Sequence, residues 1–233
     1  MLSEITKKIF LPYKNKKIAI LSSAGLGSNF LSYFSIICGC KTKLYFIKAT
    51  HPELDSYNKK RIKMLKEISS FLNQKASILE LSPKQYIKYF LKLDSCYPDA
   101  FLEDEDTPAI YFALDKIKER FVFHGMGLNE MENLSYKNAK LYVKNQRIKN
   151  INLHKKISSY TKKEIFFPFL EDKAILDLFL EYKKKETSIK KILQQILGNK
   201  LPKKLIVQKS QHTYVPQDIL KIVDKIHKLK KGF

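Results

Sequence analysis

Two short segments of this chain carry residue types that could hold a phosphate. The first, Ser22-Ser23-Ala24-Gly25-Leu26-Gly27-Ser28, joins serine hydroxyls to small residues whose backbone amides can turn inward. Consecutive amides of this kind, at the positive end of a following helix, make a nest for a phosphate or pyrophosphate. No Gly-Lys-Ser/Thr of a Walker loop follows, and the glycine spacing is not that of a dinucleotide fingerprint. A glycine-rich turn with a purely structural duty is the competing explanation. The second segment is the glycine turn Gly125-Met126-Gly127.

Both turns sit where strands end. The apolar run Ile18-Ala19-Ile20-Leu21 between lysines reads as a buried strand entering the first turn, and residues 29–38 then place Phe30, Leu31, Phe34 and Ile37 at helical spacing. A second strand, Leu44 to Ile47, precedes an amphipathic helix over residues 55–72. A third, Ser77 to Leu81, precedes a helix beginning near Ser82-Pro83. Residues 94–108 read as a loop, with a helix over 109–119 leading to a fourth strand, Phe121-Val122-Phe123, and the second glycine turn. Such alternation means crossover units on a parallel sheet, whose carboxyl edge is where ligands bind. From residue 151 onward helical patterns dominate, over 151–163, 174–184, 188–197 and 217–229. The expected fold is α/β, a parallel sheet with flanking helices and a helical C-terminal half. Residues 1–16 form an N-terminal extension to a single domain over 17–233, whose α/β part covers 17–150 and whose mainly helical part covers 151–233.

Composition narrows the classes. The 233 residues suffice for one domain with a substantial core, and no apolar run approaches the roughly 18 residues that span a bilayer. No signal pattern opens the chain, so a cytoplasmic protein is expected. Cys38, Cys40 and Cys96 lack the Cys-x-x-Cys spacing of a metal knuckle, and the five histidines lack ligand spacing. The net charge of +21 raises nucleic acid as a partner, yet only three of the 44 basic residues are arginine, and a lysine-rich drift over solvated faces is the favoured explanation.

Residues 20–29 resemble the pyrophosphate loop of the asparagine synthetase family, Ser-Gly-Gly-x-Asp-Ser, with Ser23, Gly25 and Ser28 on matching positions. Ala24 and Gly27 stand for a glycine and the aspartate. His124 to Glu130 resembles the family's Ser-Gly-Asp/Glu-Gly-x-Asp-Glu, and Glu164 to Glu171 its Glu-x-Arg-x-Pro-Phe-Leu-Asp. Lys190 to Gln194 is similar to Lys-x-x-Leu-Arg, and Gln208 to Pro216 to the family's tail. The matches fall in family order from about Lys17 onward.

The resemblance implies a PP-loop, adenine nucleotide alpha hydrolase-like domain. Its chemistry is adenylation of a carboxylate by ATP with release of pyrophosphate, then attack by ammonia or an amine to give an amide. It implies that Ser22, Ser23, Gly25 and Ser28 hold the pyrophosphate and that Gly125, Gly127 and the strand end near Lys48 line the adenine pocket. Lys190, Lys209 and Glu130 are the implied catalytic groups, and Asn129 and Glu130 the remaining ligands for Mg2+, since Gly27 deletes one outright. A small-molecule or peptide carboxylate is the implied acceptor, and nitrogen would come from free ammonia, an amine or a separate glutaminase subunit. Acceptor contacts are expected in loops over residues 94–108 and 136–150. Two alternatives stand beside this ligase: a catalytically impaired protein of the same fold acting as a nucleotide-binding or partner subunit, and an RNA-modifying PP-loop protein.

Overall fold

The apolar runs separate by two-residue periodicity onto the two faces of one sheet. In the computed structural model, which describes residues 1–97, 105–206 and 216–230, five parallel strands lie in the order β3-β2-β1-β4-β5. They are β1 (Lys17–Leu21), β2 (Lys41–Ala49), β3 (Lys75–Leu81), β4 (Phe121–His124) and β5 (Glu164–Phe166). Ile18 and Ile20 of the central β1 enter one core with Phe30, Phe34, Leu65, Ile68 and Phe179. Ala19 and Leu21 enter the other with Phe90, Ile110, Ala113 and Ile157. A strand buried on both faces can be apolar without interruption, which is why Ile18 to Leu21 show no alternation in the sequence.

Helices α1 (Leu2–Phe10), α2 (Leu26–Ile37) and α3 (Asp55–Phe71) cover the first face. Helices α4 (Pro83–Cys96) and α5 (Thr107–Lys116) cover the second. Pro83 at the first turn of α4 and the reciprocal cap between Ser82 and Gln85 fix its start. After β4 come α6 (Leu128–Asn133), α7 (Tyr136–Thr161), α8 (Pro168–Glu171), α9 (Lys173–Lys184), α10 (Ile189–Leu197), α11 (Lys203–Ile206) and α12 (Gln217–Lys230). Phe10 is fully buried, so the N-terminal segment closes part of the first core.

The structure departs from the sequence expectation in three places. Residues 136–150, expected as an acceptor loop, are the first half of α7, capped by Ser135 and running 26 residues. The polar surface of that half hid its helical period. Within the C-terminal half, Glu164–Phe166 add a fifth strand beside Phe121–Phe123 of β4. Three residues are too few for a periodic signal, and the pairing is fixed instead by context: the Ser158 hydroxyl accepts from Ile165 N at 3.1 Å. Helix α2 begins at Leu26, three residues ahead of its apolar stripe, with Gly25 as its cap.

Candidate functional site

The first corner leaves β1 at Ser22 and enters α2 at Leu26. Ala24 holds a φ of +52° in the left-handed region, which reverses the chain over a single residue. The Ser22 hydroxyl accepts from Ala24 N at 3.0 Å, and the Ser28 hydroxyl accepts from Gly25 N at 3.1 Å and donates to Gly25 O at 3.0 Å. Ser22 also donates to Ser28 at 3.2 Å. Both serines are buried, so the corner is pre-formed, with two of its amides satisfied by its own hydroxyls. Ser23 is half-buried, and a Cβ on Gly25 would lie 3.0 Å from its Oγ.

The second corner is in contact with the first. β4 runs beside β1 with His124 opposite Leu21, and this register brings Gly125 onto the first turn of α2. A Cβ on Gly125 would lie 3.2 Å from Ser28 N and 3.3 Å from Gly27 C, so glycine is what admits the approach. Gly127 has a φ of +100°, and a Cβ there would meet Leu170 Cδ2 at 2.4 Å. Sequence-proposed residues Ser22, Ser23, Gly25, Ser28, Gly125, Gly127, Asn129 and Glu130 thus share one edge of the sheet.

Among the described residues the donor set does not fit a protein-held magnesium ion. A Cβ on Gly27 would lie 3.1 Å from Leu128 Cδ2 and 3.3 Å from Phe169 Cε2, so an apolar wall stands where the resembling family has its aspartate. The Glu130 carboxylate accepts from Gly127 N at 2.9 Å and serves as a helix cap. Asn129 is left as a half-buried neutral donor of one oxygen. Among the described residues no group of three or more His, Cys, Asp or Glu side chains could hold a metal.

Two sequence-proposed lysines, Lys48 and Lys190, sit on other elements. Lys48 is bound to Glu80 at 2.8 Å across β2 and β3. Beyond it, Ala49, Thr50, Leu81, Tyr86 and Ile219 line a small crevice. Lys190 lies in the first turn of α10, where Glu132 of α6 accepts from Ser188 Oγ at 2.5 Å and from Ile189 N at 2.8 Å. Glu132, which the sequence gave no reason to single out, therefore joins α10 to the far end of the second corner. Lys209 falls outside the described residues; its segment follows Leu205, whose carbonyl accepts from Asn29 Nδ2 at 2.8 Å beside the first corner.

Sequence reasoning also missed Arg61. It is 5% exposed, its Nη1 lies 3.5 Å from the carbonyl oxygen of Ala24, and its guanidinium sits 5.2 Å from the centre of the Tyr57 ring. Burial pushes the Tyr57 phenol up, against the pull of Arg61. The available signal was its rarity, as one of three arginines in a lysine-rich chain.

No protein-family model matches this chain, and no curated protein matches it either. Solved structures do. The U34-tRNA thiolase NcsA from Methanococcus maripaludis with its [4Fe-4S] cluster superposes with a TM-score of 0.51 at 15% identity, over 98% of this chain and 73% of its own. The fold is that of the PP-loop, adenine nucleotide alpha hydrolase-like proteins. A protein described as a predicted subunit of tRNA methyltransferase from Methanocaldococcus jannaschii is a looser likeness, with a TM-score of 0.41 at 14% identity over 84% of this chain and 93% of its own. The likeness to the thiolase gives the fold and does not single out the asparagine synthetase family.

The cysteines here do not fit a cluster like the thiolase's. Cys38 and Cys40 are buried at the end of α2 remote from the corner, against the carbonyls of Lys7 and Phe10. Burial pushes the Cys40 thiol up to about 12, away from the thiolate a metal needs. Cys96 is exposed on α4, across the sheet.

Proposed function

We infer that this protein binds ATP where its two glycine corners meet, and that the group it acts on belongs to an RNA. The observation that carries the nucleotide half is the close approach of Gly125 to the Ser28 amide at the start of α2. That junction joins a helix N-terminus, small residues and serine hydroxyls at the carboxyl edge of the central strands. In this reading Ser23, Gly25, Ser28 and the first amides of α2 hold phosphates, and Gly125 and Gly127 shape the wall opposite. AMP transfer to an oxygen of the RNA, with release of pyrophosphate, is the chemistry this arrangement supports. RNA is preferred over a small carboxylate because the thiolase that shares the fold acts on tRNA by its title, and a net charge of +21 favours a polyanion. The amide-forming alternative rests on motif order alone.

A second reading has its own observation. The apolar wall at Gly27 and the capping duty of Glu130 favour a protein that holds nucleotide without turning it over. Pyrophosphate release from ATP, measured with and without bulk tRNA, separates the two. The first predicts release that rises when tRNA is added, and tRNA binding that weakens steeply with salt. Nucleotide binding without release under any condition leaves the second. Failure to bind ATP overturns both.

A further inference from the structure

The described residues around the first corner offer no carboxylate set for a metal ion, and the structure places a side-chain cation beside the corner. Arg61 projects from α3 and reaches the carbonyl of Ala24, the residue whose left-handed conformation makes the corner. Arg61 is 5% exposed and held against the Ala24 carbonyl and the Tyr57 ring. Elsewhere this chain uses lysine almost everywhere. A buried lysine can neutralise itself by losing its proton, whereas a guanidinium stays charged. Arginine at this place is therefore the choice that guarantees a fixed positive charge within the wall of the corner, where low local polarity strengthens its field.

We propose that Arg61 does for this corner what a metal ligand set would otherwise do: it fixes the Ser22–Ser28 loop through Ala24 and supplies the positive charge that favours a bound polyphosphate, so that nucleotide binding does not require a divalent cation. The proposal rests on the ATP reading above. Arg61 acts here as a positioning and electrostatic residue, and the ligand class is a nucleoside triphosphate in its metal-free form. Asp106 is the anion on the same side, acting on the Tyr57 ring that the guanidinium covers. A purely structural pairing within this cluster is the alternative that the test must separate.

Titration calorimetry of the full chain with ATP and with adenosine, each in excess magnesium and in chelator, makes that separation. The wild-type protein should bind ATP with affinities that agree to within about threefold in the two buffers. Arg61→Met should lose about 30-fold in ATP affinity, the scale of one charged contact, and leave adenosine binding unchanged. Arg61→Lys, whose buried ammonium can lose its proton, should recover only part of the ATP loss, and more of it at lower pH. Equal losses for ATP and adenosine in Arg61→Met would mean a structural role and overturn the proposal. So would wild-type binding of ATP that vanishes in chelator, a comparison that holds even if Arg61→Met does not fold. Wild-type protein that binds no ATP in either buffer overturns the underlying reading as well.

Discussion

The two glycine corners at the carboxyl edge of the sheet look alike in sequence and differ in what their glycines do. In the first, the serine hydroxyls of Ser22 and Ser28 and the amides of Ala24 and Gly25 form a small polar ring. Buried Arg61 stands behind it. In the second, Gly125 and Gly127 make room for neighbours, one for the backbone of Ser28 and the other for the side chain of Leu170. The acidic residue that follows, Glu130, is taken up in capping. The first corner gathers polar groups, and the second lets its neighbours approach closely. A glycine after a strand therefore signals close packing as readily as ligand binding, and the polar partners around it decide which.

The sharpest way to break this comparison is at Gly127. Gly127→Ala forces a side chain into a left-handed backbone and onto Leu170, and should lower stability by about 3 kcal/mol, read as a fall in the thermal midpoint. If it folds, its ATP affinity per folded molecule should fall only slightly, as expected for a residue that shapes the wall without touching phosphate. Next comes Gly27→Asp, the change that would restore the family's aspartate. Its Cβ would crowd Leu128, Phe169 and the Gly125 carbonyl oxygen, so it should cost about 2 kcal/mol and leave nucleotide binding no more magnesium-dependent than before. Gly27→Asp that folds normally and creates magnesium dependence would show the wall to be a metal site after all.

Ser28→Ala tests the polar corner with a smaller expected change. It strips the acceptor from Gly25 N, leaving that amide unsatisfied, at a cost of about 1 kcal/mol. Its ATP affinity should fall by more than that of Gly127→Ala. The smallest effect lies at Asp115, away from both corners. The Tyr89 hydroxyl, donating at 2.5 Å, holds the Asp115 carboxyl below the usual range, and Lys116 assists. A depressed folded-state value means that this contribution is fully present above the ordinary aspartate value of about 3.9 and is lost as pH falls through the folded value. Since the side chain is 43% exposed, the change should be only a few tenths of a kcal/mol. Asp115→Asn should flatten that part of the acid-stability profile without altering nucleotide binding.

Much of the fold was legible because its signals are local. The buried run Ile18 to Leu21, the Ser82-Pro83 start of α4 and the glycine turns each state their structure within a few residues. What escaped depends on partners far along the chain. β5 is three residues long and exists because β4 offers it an edge. The first half of α7 is too polar to show a stripe, so its period did not emerge. At the site, the meeting of residues 22–28 with 125–130 followed from parallel strand order. The roles of Glu130, Glu132 and Arg61 did not, because capping and burial are set by the packing of α6, α10 and α3. At Glu130 the resemblance implied a metal ligand and could not show the cap on Gly127 N, since motif position says nothing about which hydrogen bond a carboxylate has already made.

Amide hydrogen exchange, followed by peptide mass across the chain with and without saturating ATP, puts the central claim to its most direct test. The account predicts slower exchange for peptides spanning residues 22–28 and the first turn of α2, with a smaller slowing over 125–130 and none over the Lys48 strand end. Protection confined to other segments, or none at saturating ATP, would contradict it.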